Sequence, residues 1–405
     1  MREQKYKLLV AWLAALIFLT TIPDQTLYAQ TDPFTSDVQY NFGENILFSG
    51  NYSGDEQVLS GTLFFQQEGE EGSRGGQLEI QPGNQVQFEY NLAEDPLRAF
   101  STVNYWFEMN LDNGQKYVSP QQELLYEDNR FDWQEREDAM FHLRWYEGDT
   151  AFSQTVLDVA ELGLANAQNL VPFTLREPID IYVYASAAEM RTTLQSFGKN
   201  WVGAHTDPDL GVMVLSLPPG PEQRLEMERQ IPHELMHILL YQNIGPGYAN
   251  LPVWLTEGLA SMAELYPNPD YLVLLENAQE KDTLPSIQSL CRSFPRDASG
   301  AYLAYAQAAS FTRYLHQQFG SSQLQQLIKQ YQDGLNCQRG AEAAYDLTLP
   351  QLERQWRQNV LGENVYQSAF SNLLPWFVLL SIFLLIPFGL ILAGIRKRSE
   401  GRQAR

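Results

Sequence analysis

The chain is poor in cysteine, in histidine and in positive charge. Two cysteines, Cys291 and Cys337, stand among 405 residues, too few for a disulfide scaffold or a cysteine-ligated metal site. They either close one loop of about 45 residues or sit as two small buried thiols. Only 27 basic residues face 49 acidic ones, a formal net charge of -22, and no basic cluster lies outside the two ends. Phosphates need lysine and arginine for neutralisation, so no nucleic acid is expected as a partner. With 44% hydrophobic and 19% charged residues, the composition is globular, and the length allows two or three domains.

Long apolar runs are confined to the ends. Arg2, Lys5 and Lys7 precede an uncharged run from Leu8 to Ile22, and Ala29 supplies a small residue for cleavage. That order predicts a secretory signal peptide over residues 1–29, with an uncleaved anchor as the alternative. From Leu373 to Ile395 there is no charge, and Arg396, Lys397 and Arg398 follow at once. This predicts a single membrane-spanning helix at 373–395 with a basic cytoplasmic tail at 396–405. A buried soluble helix is the bland alternative. The part between would lie outside the cytoplasm as an acidic ectodomain on one tether.

Residues 31–147 have the texture of strands. β-rich runs such as Ile46–Phe48, Gly61–Phe65, Gln77–Ile80, Val86–Tyr90, Thr102–Met109 and Met140–Tyr146 alternate with turn residues, Asp112-Asn113-Gly114 among them. This predicts a small antiparallel sandwich of immunoglobulin type. After Gly148 the apolar period becomes helical, with short buried strands at Ile179–Tyr184 and Val212–Leu217. Helices are expected at Ala151–Leu170, around His233–Tyr241, and at Val253–Leu265, Tyr271–Ala278, Ala298–Phe319, Leu324–Tyr331 and Leu349–Val360. Strands first and helices later make an α+β chain, with a second domain at 148–362.

The chemistry concentrates at His233-Glu234-Leu235-Met236-His237, of the form H-E-x-x-H. On a helix, positions i and i+4 share a face, so both imidazoles can converge on one zinc ion. In a chain with five histidines, chance supplies such a pentapeptide about 0.005 times. Pro232 predicts that the helix is either kinked there or begins there. Glu257 follows in Trp254-Leu255-Thr256-Glu257-Gly258-Leu259 on a second helix, folded back through Gly245-Pro246-Gly247, and is the candidate third ligand. Glu264, seven residues on, is placed two turns along the same face, where it can accept a hydrogen bond from a ligating imidazole. His205 is read as a loop residue, either lining the cleft or without a role; His142 and His316 are read as structural.

HELMH followed by WLTEGLAS resembles the gluzincin clan of zinc peptidases, and most of all the bacterial peptidase MA-like proteins related to the M1 aminopeptidases. The resemblance is motif-specific over about 230–265, weaker near 300–320 and otherwise one of layout. It implies an immunoglobulin-like domain followed by a thermolysin/M1-like α+β domain that holds one Zn2+ ion through His233, His237 and Glu257. It further implies that Glu234 acts as general base on a peptide or protein substrate. The clan's oxyanion-binding tyrosine matches Tyr305, in Tyr305-Ala306-Gln307-Ala308-Ala309; Tyr302 and Tyr305 as core aromatics are the alternative. M1 aminopeptidases carry G-x-M-E-N where this chain has Gly211-Val212-Met213-Val214-Leu215. Val214 stands in place of the amine-binding Glu, which argues against strict aminopeptidase action, although the strand is expected to pair an extended peptide along its edge. The rival readings are a catalytically inactive peptidase-like adhesion protein at the cell surface and a purely structural zinc site.

Overall fold

The computed structural model describes residues 32–195, 204–363, 373–383 and 385. The expected signal peptide and basic tail lie outside the described residues, as does about half of the expected membrane helix. Residues 373–383 are helical with their large apolar side chains exposed. Among the described residues no helix is long and apolar enough to cross a membrane.

The chain divides into two compact units. One comprises the described residues up to Leu97 with Thr102–Tyr126; the other comprises Arg98–Ser101 with the described residues from Glu127 onward. The first unit holds two antiparallel sheets. One has the order β1 (Phe34–Asn41), β2 (Asn45–Tyr52), β6 (Gln85–Asn91), β5 (Glu79–Gln81). The other has the order β4 (Arg74–Gln77), β3 (Val58–Gln67), β7 (Ser101–Leu111), β8 (Lys116–Val118), with β9 (Gln122–Tyr126) also paired to β7. Alternation decides which face is inside: along β7, Val103, Tyr105, Phe107 and Met109 are buried and their neighbours are not. Aromatic rings join the inner faces, Phe48 to Phe65 at 5.7 Å and Phe34 to Phe107 at 4.8 Å between centroids. The run Gln77–Ile80 is not one strand, because the chain changes sheets at buried Leu78.

In the second unit the sheet order is β10 (Gln134–Glu137), β11 (Phe141–Trp145), β12 (Ile179–Tyr184), β14 (Val212–Ser216), β13 (Ala204–Asp207). β11, β12 and β14 are parallel, and the two edge strands are antiparallel to their neighbours. Residues 127–147, expected to belong to the β domain, therefore join the second unit. Alternation identifies a strand without saying which sheet it enters, and parallel pairing needs a crossover, here α1 (Thr150–Leu170) between β11 and β12. Asp149 caps α1 by accepting from the Phe152 N–H at 2.9 Å. β14 is buried along its whole length and flanked on both sides, by β12 and β13. The edge anticipated at Val212–Leu217 consequently belongs to β13, and buried Val214 says nothing about amine binding.

The remaining helices of this unit are α2 (Ala187–Gln195) and α3 (Gln223–Ile244), which pack on the sheet, and α4 (Val253–Ala263), α5 (Tyr271–Glu280), α6 (Ala298–Gln332), α7 (Cys337–Tyr345) and α8 (Leu349–Val360). A left-handed glycine, Gly320 at φ 84°, interrupts α6. α3 does not begin at Pro232 but runs through it. Cys291 and Cys337 are joined by a disulfide. α4 lies against α6 where Gly258 has no side chain: a Cβ there would stand 2.1 Å from Thr312 Oγ1 and 2.6 Å from the Ala308 carbonyl. Trp254 and Phe311 fill the same interface, 5.0 Å apart. Gly258→Ala should therefore lower stability by about 1–3 kcal/mol, the usual range for overpacking. Gly220→Ala, where nothing lies within 4 Å, should leave it within about 0.5 kcal/mol. Urea unfolding of both variants checks this, and equal midpoints would show that the helices have room to separate.

Candidate metal centre

Half of α3 is buried, Met227, Ile231, Leu235, Met236, Ile238, Leu239 and Leu240 among its covered residues. His233 and His237 lie one turn apart on this helix. Glu257 reaches them from the first half of α4. Its Oε2 is 3.3 Å from His233 Nε2 and 3.8 Å from His237 Nε2. One ligand atom from each of the three lies within 4.8 Å of the others. Donors bonded tetrahedrally to zinc at about 2.0–2.1 Å stand about 3.3–3.4 Å apart, so the set fits that ion.

The outer nitrogens are occupied. His233 Nδ1 is 3.2 Å from Glu264 Oε1, and His237 Nδ1 is 2.8 Å from the Tyr248 hydroxyl. With each Nδ1 as the protonated nitrogen, each Nε2 lone pair turns to the centre. Glu264 reaches His233 from a position that differs from expectation: α4 ends at Ala263, and Glu264 is the extended residue after it, at φ -53° and ψ 132°. Tyr248 carries no sequence signal beyond sitting in the turn after Gly245-Pro246-Gly247. Glu234 points to the same region, and its Oε2 accepts from the Thr206 hydroxyl of edge strand β13. Thr206 escapes sequence reasoning, since Ala204-His205-Thr206-Asp207 reads as a loop. His205 lies on β13 as well, 3.2 Å from Asp207 Oδ1. The Tyr305 ring stands 6.3 Å from that of His233 and 5.0 Å from Phe294, whereas Tyr302 is exposed and bonded to Asn268 at 2.6 Å. His142 faces Asp180 at 3.5 Å and His316 faces Ser321 at 2.9 Å, both away from the centre.

Charge follows from this crowding. Burial disfavours the imidazolium of His233, but its hydrogen bonds to Glu257 and Glu264 outweigh burial and raise its pKa to about 10. Burial lowers that of His237 and leaves it neutral. Partial burial would raise the pKa of half-buried Glu257, yet the two histidines hold it below the usual range. Burial, with Glu257 and Glu234 nearby, pushes the Tyr305 and Tyr248 phenols up, so both keep their protons.

Two helical imidazoles, a carboxylate on the following helix and an edge strand alongside form an arrangement of the metallopeptidase type. A family model of the Peptidase MA superfamily matches residues 159–362, just over half of the chain, and the chain belongs to that superfamily. No curated protein matches it. Among solved structures, a mutant M1 zinc metallopeptidase from Deinococcus radiodurans aligns over 82% of this chain and 94% of its own, at 10% identity and a TM-score of 0.36. A myokine structure aligns over 23% of this chain and 93% of its own, at 13% identity and a TM-score of 0.20. A polysaccharide deacetylase from Bacillus cereus aligns over 40% and 55%, at 7% identity and a TM-score of 0.20. Scores this low do not establish a common fold.

Zinc held here would require a neutral His233, so metal and proton would compete for this residue. At pH 7 binding should release about one proton from His233, and affinity should rise as pH approaches 10. In the metal-free protein the sign is reversed. The stability His233 contributes is fully present below its ordinary pKa of 6.5 and is lost as pH rises through about 10. Calorimetric zinc titration in two buffers of different ionisation enthalpy measures the proton count; a count of zero would mean that His233 is already neutral.

Proposed function

We propose that the protein is a zinc-dependent peptidase with His233, His237 and Glu257 as metal ligands. The observation that carries this reading is the convergence of those three donors within 4.8 Å, with Glu234 beside them. Bound zinc would act as a Lewis acid that polarises water and the scissile carbonyl. Glu234 takes the proton of the attacking water and passes it to the leaving amine. The Thr206 hydroxyl holds one oxygen of that carboxylate, and the other takes part in proton transfer. Tyr305, kept protonated by burial and its acidic neighbours, donates to the developing oxyanion, where charge appears only in the transition state. An extended peptide pairs along β13, the edge that carries Thr206.

The setting we propose is extracytoplasmic, with the chain tethered by a C-terminal membrane helix. Support comes from the basic-then-apolar start, the uncharged run 373–395 and its basic stop. A Cys291–Cys337 disulfide fits an oxidising compartment. The two facing antiparallel sheets of the first unit support its reading as an immunoglobulin-like domain.

Glu234→Gln should keep zinc stoichiometry and lower cleavage of a peptide library by about 10²–10⁴-fold, and full turnover would reject Glu234 as the base. Glu257→Ala should lose most of its zinc by metal analysis; unchanged stoichiometry would remove Glu257 from the ligand set. A wild-type protein that holds zinc and cleaves nothing would leave an adhesion protein with a structural metal.

A further inference from the structure

We infer that Pro232 is a positioning residue for this centre. By removing one N–H from α3 it releases the Glu228 carbonyl to hold the chain at Leu265, which seats Glu264 against His233. In an α-helix the N–H of residue i bonds the carbonyl of residue i-4, so residue 232 is the natural donor to Glu228. Proline has no N–H to give. The vacated carbonyl accepts instead from the Leu265 N–H at 2.9 Å and the Tyr266 N–H at 3.4 Å, the two residues that follow Glu264.

A second anchor lies on the other side of Glu264. The Asn166 side chain of α1 donates to the Ala263 carbonyl at 2.8 Å, one of the carbonyls that a helix end leaves without an internal partner. Glu264 is thus an extended residue clamped at 263 and at 265, and its carboxylate meets His233, the residue directly after Pro232. The proline ring itself packs on Gly163 of α1, where a Cβ would stand 2.8 Å from Pro232 Cγ. Gly163 and Asn166 are three positions apart, one helical turn. One turn of α1 and one turn of α3 therefore hold both the carboxylate and the ring it orients.

The functional consequence rests on the zinc reading above; the backbone linkage does not. Zinc affinities of wild type, Pro232→Ala, Glu264→Ala and the double variant, measured against a chromophoric chelator, test the consequence. Each single change should weaken binding by about 10–100-fold, as loss of a partner that orients a ligand does, and the double variant should bind no more weakly than Glu264→Ala. Losses that multiply, or a Pro232→Ala protein with wild-type affinity, overturn the proposal. Amide hydrogen exchange on the metal-free protein tests the linkage independently. Exchange at Leu265 should accelerate in Pro232→Ala while the melting temperature does not fall, because the N–H that alanine restores at this position reclaims the Glu228 carbonyl; unchanged protection at Leu265 overturns it. A wild type that takes no zinc defeats the metallopeptidase reading, and the exchange result still decides the linkage.

Discussion

Burying carboxylates costs free energy unless a cation meets them, and the second unit buries or half-buries Glu234, Glu257 and Glu264 around two imidazoles. That imbalance is the constraint on which the rest of the unit depends. In the metal-free protein the positive charge comes from His233, held as imidazolium by Glu257 and Glu264. On the zinc reading, a divalent ion at the same point would take over that positive charge and leave the ring neutral to act as a ligand. The site would then hold a cation in either state, and competition between proton and metal would follow from its packing.

That packing is set by residues far less polar. α4 approaches α6 where Gly258 leaves room for Thr312, and α1 approaches α3 where Gly163 leaves room for Pro232. A close-packed interior transmits small displacements, so an added methyl group at either contact shifts a helix that bears a ligand. At the start of α4 the Val253 N–H is satisfied by the Cys291 carbonyl at 3.0 Å, and Trp254 Nε1 lies 3.4 Å from Cys337 Sγ. The disulfide thus sits against the turn of α4 just before Glu257.

Some of this is legible in the sequence and some is not. The shared face of His233 and His237 follows from i, i+4 spacing alone, and the apolar periods of α1 and α8 mark their limits to within a residue. The sheet that Phe141–Trp145 joins and the strand Ala204–Asp207 escape for different reasons. The first has the right alternation, but its sheet is chosen by a partner some forty residues later. The second is four residues long, with His205 and Asp207 half-buried and no apolar signal to separate it from a loop. Glu264 reads as helical because helical spacing also brings residue 264 near 257. The break after Ala263 depends on a hydrogen bond donated from α1 and one accepted by α3, which no local pattern encodes. The pairing of Cys291 with Cys337 is equally beyond reach, since two cysteines far apart in a chain reveal nothing about their distance in space.

The brevity of β13 also bears on self-association. The outer strand of a sheet can accept an extended strand, including one from a second copy of the chain. Four residues offer room for only a few main-chain bonds, and Asp207, tied to Arg98 at 3.2 Å, closes the row with a salt bridge. So short and polar a strand is a poor template for a growing fibril.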